Sequence, residues 1–122
     1  MNEDRGIDAL DVLRLEARRF AEERDWQSFH TPMNLAIAVS IEAGELLQVF
    51  QWLGAGDVES VASAGTTWQA AREMADVLIN LVRLADVLGV DLAAAAHDKL
   101  RVDARRYPVD EPRGAHRRSH QP

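Results

Sequence analysis

The chain has 122 residues, of which 47% are hydrophobic and 28% charged, with a net charge of -6 and no cysteine. One domain of this length buries roughly 65% of its unfolded surface. The cysteine-free composition excludes a disulfide framework, a thiolate-held zinc or iron–sulfur centre and a cysteine nucleophile. With a pI of about 5.1 the chain has no electrostatic pull toward a polyphosphate backbone, so nucleic acid is not an expected partner. No uninterrupted apolar run approaches the roughly 18 residues of a membrane span. The start Met1-Asn2-Glu3-Asp4-Arg5 lacks the basic-then-apolar order of a signal peptide. A cytoplasmic address and no membrane partner are therefore expected.

Apolar residues recur at three- and four-residue spacing, with no sustained alternation of period two, which predicts helix throughout. The first helix is expected from Ile7 to Arg24, with Leu10, Leu13 and Ala17 on one face and Phe20 near them. A loop follows, carrying Trp26, Phe29 and His30. Thr31 then caps a second helix and Pro32 occupies its first position, where a missing N–H costs nothing. This helix is predicted to reach about Leu53 and to be stopped by Gly54 and Gly56, and Val58 to Ala64 allow a short helical turn. A third helix is expected from a cap at Thr66 or Thr67 to Gly89, and a fourth from a cap at Asp91 to about Arg106, ended by Tyr107-Pro108. The expected architecture is all-α, a compact four-helix bundle over residues 1–108. Residues 109–122, with Arg113, Arg117 and Arg118 and almost nothing apolar, read as a mobile, solvated tail.

Two acids interrupt the apolar pattern. On a helical wheel Glu42 falls among Leu35, Val39, Leu46 and Leu53, and Glu45 falls between Ala38 and Trp52, while Ser40, Gln48 and Gln51 occupy the opposite side. Burying a carboxylate costs several kcal/mol, against a total stability of only about 5–15 kcal/mol. The second helix alone leaves three remedies open: lysine or arginine partners at a helix edge, raised pKa values, or a bound cation. The third helix repeats the spacing with Glu73 and Asp76, and Asn80 continues that stripe on the border between an apolar arc and a polar arc holding Arg72, Arg83 and Asp86. If the two helices pack antiparallel, four carboxylates face one another, and they cannot all stay ionised without a counter-ion. An all-oxygen set points to a hard cation, Mg²⁺ with Mn²⁺ as a substitute. The residues alone therefore suggest a Mg²⁺-dependent phosphoanhydride hydrolase in which Glu42, Glu45, Glu73 and Asp76 are at once metal ligands and catalytic groups. A ferritin-like di-iron bundle would need Glu-x-x-His on two helices, and no such pair occurs. The non-enzyme alternative is a helical interaction module whose acids bind a basic partner.

Glu42-x-x-Glu45, 27 intervening residues and Glu73-x-x-Asp76 resemble the signature of the MazG-like all-α nucleoside triphosphate pyrophosphohydrolases. Within that superfamily the likeness is to the dCTP pyrophosphatase branch. It is carried by Phe20 to Trp26, Phe29-His30-x-Pro32-x-Asn34-Leu35, Glu42-x-Gly44-Glu45-Leu46, Phe50-Gln51-Trp52, Asp76-Val77-Leu78-Ile79 and Arg105-Arg106-Tyr107-Pro108. The resemblance implies cleavage between the α and β phosphates of a nucleoside triphosphate, releasing a monophosphate and pyrophosphate. It implies a dCTP-like or modified pyrimidine substrate and a role in clearing unwanted nucleotides. It also implies Mg²⁺ on the four acids, Trp26 and Trp52 walling a base pocket with His30 and Asn80 nearby, Lys99 and Arg106 on phosphate oxygens, and assembly as a dimer or dimer of dimers. Activity on dUTP or on phosphoribosyl-ATP is the enzymatic alternative. From the residues alone, Trp26 and Trp52 fit core or interface packing equally well, His30 fits a structural loop, and Lys99 and Arg106 fit a solvated face. The chain departs from the branch pattern at Ala17, where a histidine is expected, at Asn80, where an aromatic is expected, and at Asp103, where an asparagine is expected. Asp103 is then either a further metal ligand or a partner for Arg106.

Overall fold

The computed structural model describes residues 8–54 and 56–110, which form helices and the short connections between them, with no strand among them. The helices are α1 (Ala9–Glu23), α2 (Pro32–Phe50), α3 (Val58–Ala64), α4 (Thr67–Leu88) and α5 (Leu92–Arg106), with a 3-10 turn at Gln27–Phe29. The all-α class is as expected, and among the described residues five α-helices stand where the sequence predicts four, the addition being the segment expected as a short helical turn. Val58–Ala64 is a full helix because the Asp57 carboxylate accepts from the Ser60 N–H at 2.8 Å and Gly65 closes the other end at φ 71°. Residues 111–122, most of the expected tail, lie outside the described residues.

The helix ends follow local chemistry. Asp8, Thr31 and Asp91 cap α1, α2 and α5 by accepting from Leu10, Asn34 and Ala94 N–H groups. Thr66 does not cap α4; its hydroxyl donates to the Val61 carbonyl instead. Helix α2 stops at Phe50, before the glycines expected to end it. At the end of α1 the Trp26 N–H returns to the Ala21 carbonyl at 2.9 Å, with Asp25 in the left-handed region at φ 56°. This is a Schellman-type stop with aspartate in the place glycine usually takes, and it turns Trp26 back toward α1. Asn34 fixes the far end of the same loop by donating from Nδ2 to the Phe29 carbonyl.

The chain divides into two compact units, residues 1–90 and 91–122. In the first, α4 is the central element, packed against α2 and α1. Its core is small: Ala21, Leu35, Ala70, Val82 and Ala85 are the buried apolar residues. By length and composition alone α2 is long and apolar enough to cross a membrane, contrary to the expectation that no apolar run approaches that length. Glu42 and Glu45 at its middle would be costly at a bilayer centre, and its packing on α4 gives its apolar residues a protein partner. The second unit contains α5, whose surface pairs are Lys99 with Asp103 at 2.6 Å and Arg101 with Asp98.

One ionic knot ties α1 to α4. Asp86 accepts from Arg18 through two bonds (2.5 and 2.9 Å), from Arg14 at 3.1 Å and from Arg83 at 3.0 Å. The Arg18 hydrogen bonds, assisted by Arg14, hold the Asp86 carboxyl down to about 2, well below its ordinary 3.8. A depressed carboxylate stabilises the fold above its unfolded pKa, and this contribution disappears as pH falls through the folded value. Asp86→Asn is therefore expected to cost about 2 kcal/mol at pH 7. In urea melts at stepped pH the variant and the parent should converge as pH approaches 2.

Candidate metal centre and adjoining cavity

Helices α2 and α4 bring three of the four sequence-predicted acids together. Carboxylate oxygens of Glu42, Glu73 and Asp76 lie within 4.8 Å of one another. Three-residue spacing on α4 places Glu73 and Asp76 on one stripe, and α2 presents Glu42 toward it. Glu42 and Glu73 are half-buried, whereas Asp76 and Glu45 are exposed. Glu45 is not one of the converging three, yet its charge acts on both Glu42 and Glu73. Burial is the main cause that raises the Glu42 and Glu73 pKa values, followed by the negative charge of Glu45 and then of Asp76.

Whether these residues suit a cation is decided by their own unmet needs. Glu42 Oε1 and Glu73 Oε1 are both buried and have no hydrogen-bond donor. No lysine or arginine forms an ion pair with any of the four acids among the described residues. Of the remedies open at the sequence level, a basic partner is thus not the one adopted. Orphaned carboxylate oxygens converging from two helices fit a metal ion, and the all-oxygen donor set fits a hard one.

Beside this cluster lies a cavity of about 360 Å³ between α1, the Trp26 loop and α4. Trp26, His30 and Asn80 all line it, together with Ala17, Phe20, Ile79 and Arg83. Trp26 meets Phe20 edge-on at 5.6 Å and lies tilted at 6.0 Å from the His30 ring. Arg24 stacks over the outer face of Phe20 at 3.6 Å. Asn80 donates from Nδ2 to the Asp76 backbone carbonyl at 2.9 Å. That bond leaves its carbonyl oxygen as the free acceptor and joins the cavity wall to the acid cluster within one turn of α4.

The remaining predicted residues are Trp52, Lys99 and Arg106. Trp52 follows α2 and is 83% exposed, outside the cavity lining. Lys99 and Arg106 belong to the second unit; Lys99 pairs with Asp103, and the Arg106 guanidinium lies 5.4 Å from the Tyr107 ring. Asp103 is thus the partner of Lys99. Sequence reading assigns Arg83 and Asp86 to a polar arc, but Arg83 is buried and the side chain of Asp86 is only 7% exposed. The overlooked signal was the pair Arg14 and Arg18, four residues apart on α1, which supplies the charge that lets Asp86 and Arg83 leave water.

Comparison with known proteins places the geometry. Residues 37–121 match the model of the MazG-like family. The chain is 44% identical over 108 residues to dCTP pyrophosphatase 1 of Rattus norvegicus, covering 86% of this chain and 62% of that protein. It is 41% identical over 109 residues to dCTP pyrophosphatase 1 of Homo sapiens, covering 88% and 64%. The chain therefore spans less than two thirds of the length of these relatives. A crystal structure of a pyrophosphatase from Archaeoglobus fulgidus superposes with a TM-score of 0.75 at 35% identity, covering 84% of this chain and 94% of that one.

The raised pKa values have a measurable consequence. A carboxyl whose folded pKa lies above its ordinary value stabilises the fold at low pH, and that stability is lost as pH rises through the folded value. Ionised and metal-free, the cluster opposes folding at neutral pH. Glu42→Gln should raise the melting temperature in EDTA at pH 8, and the difference should close below the ordinary pKa of 4.5. Circular dichroism melts across that range would show it.

Proposed function

The chain belongs to the MazG-like family, and on that premise we propose that it is a nucleoside triphosphate pyrophosphohydrolase. It cleaves between the α and β phosphates to give a nucleoside monophosphate and pyrophosphate, acting on dCTP or a modified pyrimidine deoxynucleotide. The observation that carries this reading is the convergence of Glu42, Glu73 and Asp76 beside a cavity lined by Trp26, His30 and Asn80. The dCTP pyrophosphatase relatives supply the substrate class.

Glu42, Glu73 and Asp76 would hold Mg²⁺, with Mn²⁺ as a substitute, and the bound ion would supply neutralisation of phosphate charge and acidification of water. Glu45, exposed and next to the cluster, is the acid placed to orient the attacking water and take its proton. Trp26 offers its face to the base, a contact worth about 1–3 kcal/mol. Where the branch pattern has an aromatic, Asn80 contributes an amide oxygen, so a hydrogen bond replaces a stack. In our reading Trp52 adds a second wall in the assembled enzyme, and Lys99 and Arg106 neutralise phosphate oxygens. Removal of surplus or modified nucleotides in the cytoplasm is the role that follows, without nucleic acid or membrane as partner.

We assign the working form to a homo-oligomer, a dimer or dimer of dimers. Support comes from Met33, Ile37 and Ile41, which repeat every four residues on α2 and are 48–69% exposed. Leu47, Trp68 and Met74 are also more than half exposed. A small core with this much uncovered apolar surface calls for a protein partner.

A panel of canonical nucleoside triphosphates, with dUTP and phosphoribosyl-ATP added, should yield pyrophosphate and monophosphate in the presence of Mg²⁺, fastest with dCTP. Orthophosphate as the first product would overturn the assigned bond. Glu42→Gln or Glu73→Gln should lower kcat by at least about 100-fold, and Mg²⁺ should raise the melting temperature of the parent but not of these variants. In light scattering, Ile37→Glu combined with Ile41→Glu should reduce the assembly to smaller species.

A further inference from the structure

Arg83 is 6% exposed, the one buried charged residue among those described. Its Nη1 donates to Asp86 and its Nε to Nδ1 of His30, at 3.0 and 3.1 Å. A guanidinium has only donors and does not lose its proton in proteins. Nδ1 of His30 must then be an acceptor, so the ring proton sits on Nε2. The backbone of His30 is also fixed, its N–H donating to the Gln27 carbonyl. Protonation of the ring would set an N–H against an N–H and a cation against a cation. Burial first, and then the Arg83 charge, keep the His30 pKa below its ordinary value.

The guanidinium that imposes this arrangement is itself held. Asp86 takes Arg83 with one oxygen and is clamped from α1 by Arg14 and Arg18. His30, Arg83 and Asn80 share the wall of one cavity. Among the described residues Nε2 of His30 has no hydrogen-bond partner, so its N–H is available to whatever enters. Asn80, with its amide nitrogen committed to the Asp76 carbonyl, offers an acceptor.

We propose that Arg83 is a positioning residue that locks His30 as a neutral Nε2–H donor, through which the cavity recognises a ring nitrogen or carbonyl oxygen of the nucleobase. The recognition half rests on the assignment of this cavity to the base of a nucleotide. The Asp86 clamp sets the guanidinium, the guanidinium sets the tautomer, and the tautomer sets which polarity of base edge is accepted.

Long-range ¹H–¹⁵N spectra of the labelled full chain test the lock directly, with the His30 signals identified by their loss in His30→Gln. The parent should show the Nε2–H form at pH 7, and dCMP should shift that signal. Arg83→Met should give a mixture of tautomers and raise KM for dCTP by about five- to tenfold with kcat within about twofold. In the His30→Gln background, where the amide donates without help from Arg83, Arg83→Met should leave KM unchanged. An Nδ1–H or doubly protonated ring in the parent would overturn the lock without any variant having to fold. An equal KM penalty in both backgrounds would reduce Arg83 to a purely structural group. If His30 shows the Nε2–H form but no nucleotide is turned over and dCMP leaves its signal unmoved, the activity reading and the recognition step fall together, and only the lock survives.

Discussion

Negative charge crowded between α2 and α4 is the constraint on which the rest of the site depends. Glu42 and Glu73 each leave a buried oxygen without a donor, and Asp76 comes within 4.8 Å of both. Elsewhere in the same unit, charge that leaves water is paid for in full: Asp86 has three arginines, and Arg83 has both Asp86 and His30. One fold thus treats two acidic places in opposite ways. The paired one serves as structure. The unpaired one keeps carboxylate oxygens that burial and mutual repulsion hold toward the protonated form, a demand that a divalent cation would meet.

In the function proposed above, the two places would divide the work of a nucleotide site. Acids with unmet demand would suit the phosphate end, where Glu42, Glu73 and Asp76 would hold a cation that neutralises phosphate charge. The saturated knot supports the other end, where an apolar cavity needs a few fixed polar groups to distinguish one base from another. Because Asp86 and Arg83 are fully engaged, His30 is held by a rigid chain of bonds and not by a mobile side chain. Preorganisation of this kind lowers the entropic cost of recognition.

How much of this was legible beforehand depended on distance along the chain. The caps Thr31 and Asp91, the stop at Gly89 and the acid quartet are local or periodic signals, and the helices they delimit appear with small shifts of boundary. The length of α2 was overestimated because its last residues are as apolar as its middle, and only the turn at Phe50 to Leu53 decides where it ends. Arg83 looked like a surface residue because a single helix cannot announce a partner 53 positions away. The same holds for Asp86, whose clamps are 68 and 72 residues upstream. Trp52 shows the reverse case: a conspicuous aromatic whose motif suggested a pocket wall stands 83% exposed in the single chain.

Helix α4 carries Glu73, Asp76, Asn80, Arg83 and Asp86 in steps of three or four along one rod. Each residue of an α-helix advances about 1.5 Å and turns about 100°, so the interval between the acids proposed to hold the ion and the groups that line the cavity is graduated like a ruler. A single inserted or deleted residue between Asp76 and Asn80 would swing one set away from the other. Substrate range in such a scaffold can drift by exchanging side chains at fixed marks, but not by changing the spacing between them.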